Sequence, residues 1–277
     1  MTATVRKLKT GRAGDTSSTV AVISLLTDFG VTDYFVGAVK GVILSINPSA
    51  RLIDITHEIP PQDIEAAAFT LLASYQSFPP NTIHLAIVDP GVGSDRRPVI
   101  VSTDTATFVG PDNGIFSYVL EQVRDYEVFH IKEEQYFRTP MSSTFHGRDV
   151  FAPVTAALSR GLRADAFGPK ITDPVVLPSL RPLPKKRGLE GRIIHVDTFG
   201  NCITNFTKAD IPDNCQLLVK GKRIKAFKQY FLEQIGSRHE LFAIWGSAGF
   251  LEIAATNKSA AKLLHAKRGD TLKLVKC

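Results

Sequence analysis

Asp89 and Arg96 flank the turn Asp89-Pro90-Gly91-Val92-Gly93, and His146 sits in Thr144-Phe145-His146-Gly147-Arg148-Asp149. The two glycines let the chain fold back so that the carboxylate meets the guanidinium. A carboxylate in that position stays ionised and fixes the direction of the arginine. An imidazole next to a helix start can be presented to a pocket, where it exchanges a proton near neutral pH. On spacing alone, an ordinary structural ion pair and a surface or satisfied histidine are the commoner readings of such residues. The turn has no third glycine and no Gly-Lys-Ser/Thr ending, so a nucleoside-triphosphate loop is not expected. No His-Glu-x-x-His set is present either, and no metal is expected.

A second group of residues suits a nucleoside. Asp28 follows an apolar run, in Thr27-Asp28-Phe29-Gly30, where a carboxylate can accept two hydrogen bonds from a ribose diol or can simply cap a turn. Asp197-Thr198-Phe199-Gly200-Asn201 and Gly246-Ser247-Ala248-Gly249 offer an amide, a hydroxyl and an aromatic face to a planar ligand. Each also reads as a hairpin connection.

These residues need a frame, and the hydrophobic pattern supplies one. From Val20 to about Gly161, short β-branched runs alternate with helical periodicity, which predicts an α/β domain with a mainly parallel sheet. Strands are expected at Val20–Leu26, Arg51–Thr56, Thr82–Val88, Val99–Thr103 and Thr107–Val109. Helices are expected from Phe35 to Ile46, stopped by Asn47-Pro48, and from an Asp63 cap onward. A third is expected with Asp149 as its cap. Asp28, Asp89 and the Gly110–Gly114 turn all fall where strands end, the ligand-binding edge of such a sheet.

Four prolines between Pro174 and Arg187, with Lys185-Lys186-Arg187, predict a linker over residues 181–190 between an α/β domain (19–180) and a smaller domain (191–277). The latter shows strands at Arg192–Val196, Gln216–Val219, Phe242–Trp245, Phe250–Ala254 and Thr271–Val275, as expected for a small antiparallel β domain. Helical periodicity there is confined to Lys258–Leu264 and Ala226–Gln234.

The 277 residues, 44% hydrophobic, are enough for two modest domains and exclude disorder for most of the chain. The formal charge of +6 is partly spent on Arg6, Lys7, Lys9 and Arg12 in the first eighteen residues. The body therefore lacks the surplus a nucleic-acid binder needs. That segment is expected to be a disordered extension of a cytoplasmic protein; its composition also has some likeness to an organellar transit sequence. No apolar run is long enough to span a membrane. Cys202, Cys215 and Cys277 are too scattered for a disulfide framework, which predicts a reducing compartment.

In order along the chain, Leu26-Thr27-Asp28-Phe29-Gly30, Val88-Asp89-Pro90-Gly91-Val92-Gly93 with Arg96, Gly110-Pro111-Asp112-Asn113-Gly114, Thr144–Asp149, Phe199-Gly200-Asn201 and Leu251-Glu252-Ile253-Ala254 resemble the S-adenosyl-L-methionine hydroxide adenosyltransferase family. This family is related to the fluorinase and chlorinase enzymes. The likeness spans about residues 20–277. It implies an α/β domain followed by a β domain, a homotrimer that binds its substrate between the first domain of one subunit and the second domain of the next, and hydrolysis of S-adenosyl-L-methionine to adenosine and methionine without a cofactor. It further implies Asp89, Arg96 and His146 as the water-activating group and Asp28 at the ribose hydroxyls. Phe199 with Asn201 would lie at the adenine, and Asp197 with Ser247 at the amino-acid end. One departure is Gly246-Ser247, where Asn-Ser is common.

The implied reaction has a simple demand. A sulfonium leaves as a neutral thioether and needs no acid, so the site has to orient water in line with the C5′–sulfur bond and stabilise its hydroxide character. Arg96 and His146 offer donors and a proton acceptor. A halogenase on the same scaffold would carry an aromatic residue at the positions of Asp89 and His146, and the fluorinase an extra loop, which finds no room between Arg97 and Gly110. A binding protein that senses the substrate without turnover is the alternative from another class.

Overall fold

The protein is described by a computed structural model covering residues 20–186, 188–212, 215–233 and 240–276. The amino-terminal extension, Arg187, Gln234 and Cys277, all named above, lie outside the described residues. The chain forms two compact units that divide between Pro178 and Ser179.

In the first unit, the elements follow one another as β1 (Val22–Thr27), α1 (Phe35–Ile46), β2 (Arg51–Thr56), α2 (Ile64–Ser74), β3 (Thr82–Ile87), β4 (Pro98–Thr103), β5 (Ala106–Pro111), α3 (Ser117–Leu120), β6 (Tyr126–His130), α4 (Ala152–Ser159) and β7 (Lys170–Ile171). Their seven strands make one sheet in the order β2-β1-β3-β5-β4-β6-β7. β1, β2, β3 and β5 pair in parallel, while β4 and β7 run against their neighbours, so β6 points the same way as β5. The sheet is thus mainly parallel, as expected. β1 and β3 are buried on both faces, as befits central strands of a sheet covered by helices. One face packs Ile23, Leu25 and Leu85 against Val39 and Ile43 of α1 and Val154 of α4. Asp63 caps α2, its carboxylate accepting from the Ala66 amide at 3.0 Å.

The other face holds a buried histidine. His84 is 1% exposed, stacks on Phe108 with ring centroids 5.0 Å apart, and shares a 2.6 Å hydrogen bond between Nδ1 and Ser24 Oγ. Burial pushes its pKa down to about 4. Since the unfolded chain protonates this imidazole near pH 6.5, stability is full above that value. It should fall as the pH drops from about 6.5 to about 4 and then level off, by up to about 3 kcal/mol. Denaturant titrations at pH 7 and pH 4.5 should show this loss in the parent and a smaller one in His84→Gln.

The third expected helix begins differently. Residues Gly147–Phe151 form a π-turn with His146 at its cap position, and α4 follows directly. Asp149 is not the cap: it is fully buried, and its carboxylate is spent on Arg148 and on the Ser142 amide.

In the second unit, β8 (Leu183–Lys185), β9 (Gly188–Val196), β10 (Cys202–Thr207), β11 (Cys215–Val219), β12 (Lys222–Ile224), β13 (Phe227–Lys228), β14 (Leu241–Trp245), β15 (Phe250–Ala255), α5 (Ala260–Leu264) and β16 (Thr271–Lys276) follow in turn. Among the described residues the strands form a mainly antiparallel sheet in which β13 and β14 alone pair in parallel. Two expectations are corrected here. Residues 181–190 are not a free linker, because β8 pairs with β9 within the sheet. Ala226–Gln234 is not a helix within its described part, since Phe227 and Lys228 add a short edge strand beside Ala243 and Ile244.

Candidate active site

β1 and β3 lie side by side in parallel register, Thr27 opposite Ile87. Asp28 and the Val88-Asp89 step therefore emerge together at the carboxyl edge of the sheet. The Asn113 side-chain amide donates to the Val88 carbonyl at 2.8 Å, which fixes the strand end from the Gly110–Gly114 turn.

From that end, Asp89 receives Arg96 in a two-pronged pair. Arg96 Nε lies 2.9 Å from both carboxylate oxygens, and Nη2 donates to Oδ2. The side chains are only 6% and 9% exposed, so the pair is poorly screened, and the guanidinium lies over the Phe151 ring at 5.1 Å. Arg96 Nη2 also lies 3.0 Å from His146 Nδ1. A guanidinium has no acceptor, so Nδ1 must carry the lone pair and Nε2 the proton. Burial and, after it, the charge of Arg96 hold the His146 pKa below its ordinary value, against the pull of Asp89 and Asp149. The imidazole is thus neutral at neutral pH, with Nε2–H directed away from Arg96. Arg96 Nη1 has no hydrogen bond to a described residue.

His146 reaches this place through close backbone packing. A Cβ on Gly93 would come within 2.3 Å of the Ser143 carbonyl, and Gly93 has φ +78°, so only glycine lets the Asp89 loop approach the His146 loop this closely. Phe145 anchors the next position, edge-on to Phe29 and Phe35 with centroids 6.0 and 5.2 Å away.

Asp28 stands beside this group. Its Oδ2 accepts the Gln62 amide at 2.8 Å, leaving Oδ1 open for another donor. Phe29, the next residue, would touch a Cβ on Gly147 at 3.3 Å, so the Asp28 and His146 segments adjoin.

The second unit gathers other expected residues. Asp197 Oδ1 accepts the Asn201 amide at 2.8 Å and Oδ2 accepts its side-chain nitrogen at 2.9 Å. Phe199, 80% exposed, and Asn201 line a cavity of about 530 Å³ with Phe231, Leu232, Asn257 and Ser259. Gly200 is required at this turn: at φ +83° its Cβ would sit 2.0 Å from Ser259 Oγ. Ser247 is exposed in the β14–β15 hairpin and is not among the cavity's lining residues. Gly246, the departure noted above, leaves the space that Glu252 fills, since a Cβ there would collide with its carboxylate.

Two contributors were not expected in their roles: Phe151, legible as an apolar helix residue, lies beneath Arg96, and Asn113, within the Gly110–Gly114 motif, holds the Val88 carbonyl. His57, against Thr27, carries no local signal. Among the described residues, no group of three or more His, Cys, Asp or Glu side chains could hold a metal ion, and no helix is long and apolar enough to cross a membrane. Burial pushes the Cys202 thiol up to about 11, with Asp197 and Asp270 adding to the effect, so it stays protonated at neutral pH.

Residues 23–168 match the N-terminal domain, and residues 191–273 the C-terminal domain, of the SAM hydroxide adenosyltransferase family. The chain is 36% identical over 270 residues to the (R)-S-adenosyl-L-methionine hydrolase of Methanocaldococcus jannaschii, spanning 92% of this chain and 95% of that protein. To the (R)-S-adenosyl-L-methionine hydrolase of Thermus thermophilus it is 35% identical, over 91% and 99% of the two chains. The fluorinase of an Actinoplanes species is more distant, at 24% identity over 69% of this chain and 73% of that protein. Among solved structures, an uncharacterized conserved protein from Thermotoga maritima matches with a TM-score of 0.83 at 37% identity, over 91% of this chain and 99% of that one.

Proposed function

The chain belongs to the SAM hydroxide adenosyltransferase family, and from that premise we propose that it hydrolyses S-adenosyl-L-methionine to adenosine and methionine. The observation that carries this reading is the Asp89–Arg96–His146 chain at the sheet edge, with Arg96 Nη1 making no hydrogen bond to a described residue and Asp28 at the end of the adjacent strand. Asp89 holds the guanidinium, the guanidinium fixes the imidazole tautomer, and His146 Nε2–H and Arg96 Nη1 face the attacking oxygen.

Because Nδ1 is occupied, the imidazole acts as a donor and not as the base. Water loses its proton to solvent, and the site keeps the hydroxide through charge-assisted hydrogen bonds. The hydroxide forms the O–C5′ bond as the C5′–S bond breaks, and the electron pair leaves on neutral methionine sulfur. An anion and a cation cancel in this step, which a water-poor pocket favours. In the homotrimer that the resemblance implies, Asp28 of one subunit takes the ribose hydroxyls, while Phe199 and Asn201 of the next take the adenine and its Asp197 and Ser247 the amino-acid end. The preference for the (R) sulfonium in the relatives' name and the homotrimer implied by the resemblance belong to the same proposal.

The reading includes metal independence. Protein incubated with a chelator and S-adenosylmethionine should release adenosine and methionine at the untreated rate. Loss of activity restored by zinc or magnesium would refute that part, and a halogenated nucleoside or binding without turnover would refute the reaction itself.

A further inference from the structure

We propose that His57, a buried histidine outside every recognised motif, is a positioning residue for the Asp28 carboxylate, an inference that rests on the reading of Asp28 as the ribose contact. His57 is 5% exposed and follows β2. Its Nδ1 lies 2.9 Å from Thr27 Oγ1, and that oxygen also accepts the Phe29 amide at 3.2 Å. On its other side, Nε2 is 3.1 Å from Asp54 Oδ1, though poorly angled for a hydrogen bond, and Asp54 is held by Lys40 at 2.6 Å. A carboxylate beside Nε2 favours the proton there, so Nδ1 accepts from the threonine hydroxyl. The threonine oxygen is then free to accept from Phe29. The imidazole thereby fixes both residues that flank Asp28.

Backbone bonds tie the same two loops together. The Gly30 amide donates to the His57 carbonyl at 2.8 Å, and the Gln62 amide donates to Asp28 itself at 2.8 Å. Gln62 sits at φ +66°, a conformation that costs a residue with a Cβ and persists only where its surroundings enforce it. Here it aims an N–H at the carboxylate. Diol recognition needs the carboxylate held to a fraction of an ångström, and the Thr27–His57 bond is the side-chain part of that restraint.

Isosteric replacements separate positioning from mere packing. Asparagine at 57 keeps a polar atom near the Nδ1 position and can still meet Thr27, whereas glutamine reaches toward Asp54 and loses Thr27. With the full-length protein, His57→Gln and Thr27→Val should each raise the KM for S-adenosylmethionine and the Kd for adenosine about tenfold. The kcat should stay within about twofold, and His57→Asn should recover most of the affinity. Methionine binding should not move. Equal losses in His57→Asn and His57→Gln, or lowered melting temperatures with unchanged adenosine affinity, would overturn the proposal. If His57→Gln fails to fold, Thr27→Val alone decides, by the same adenosine titration. Parent protein that bound no adenosine would overturn the functional reading together with this inference, whereas an active parent with unaffected variants would overturn this inference only.

Discussion

Alanine at His146 or at Arg96 should lower kcat by about 10²- to 10³-fold while changing the affinity for S-adenosylmethionine far less. The attacking oxygen gains its negative charge only as bound water gives up a proton on the way to the transition state, and the two side chains offer their N–H groups to that oxygen and not to the substrate. The two losses should not add. Without Arg96, the imidazole loses the partner at Nδ1 that fixes its tautomer, so either deletion disables the same unit. Arg97→Ala is the internal control. Arg97 points elsewhere, its Nε 2.8 Å from Asp112 and its Nη1 2.9 Å from Asp173, and its removal should cost stability more than turnover. The pH profile gives a second check. Protonated His146 cannot accept from Arg96, and its pKa lies below the ordinary 6.5, so activity should persist to the acid side of that value before it falls. Parental turnover in His146→Ala, or a greater loss from Arg97→Ala than from Arg96→Ala, would refute the assignment.

Asp28→Ala should have the next largest effect, and of the opposite kind. Hydrogen bonds to a charged group are worth about 1.5–3 kcal/mol, so the KM for S-adenosylmethionine and the Kd for adenosine should rise about 10- to 100-fold. The diol is held alike before and during attack, and kcat should therefore change little. Asp28→Asn keeps the Gln62 contact through its amide oxygen but loses the charge, and should fall between parent and alanine. Calorimetric titration with adenosine and with 2′-deoxyadenosine separates the effects: the parent should discriminate between them and Asp28→Ala should not. Unchanged adenosine affinity in Asp28→Ala would place the ribose elsewhere.

Much of this frame was legible because its signals are local. Asn47-Pro48 ends α1, and Asp63 caps α2 through a bond three residues away. The β10 strand was illegible for the opposite reason. Its buried Thr204 and Asn205 look like loop residues, and distant partners, the Leu251 and Leu180 carbonyls and the Arg192 amide, make their burial tolerable. Asp149 misled because a carboxylate ahead of an apolar run reads as a cap, whereas here neighbouring Arg148 and the Ser142 amide claim it. At the site, Asp89 and Arg96 were readable from a glycine turn that allows their pairing. The tautomer of His146 was not, because it depends on which ring nitrogen faces the guanidinium. His57 was likewise invisible, since its meaning lies in a hydrogen bond to Thr27 on a neighbouring strand.

The most direct test of the central claim is a single turnover of S-adenosylmethionine in ¹⁸O-labelled water, with both products weighed by mass spectrometry. Attack by a site-held hydroxide at C5′ predicts adenosine carrying one ¹⁸O at its 5′-hydroxyl and methionine carrying none. Unlabelled adenosine, a nucleoside bearing halide in place of oxygen, or substrate recovered intact would contradict it.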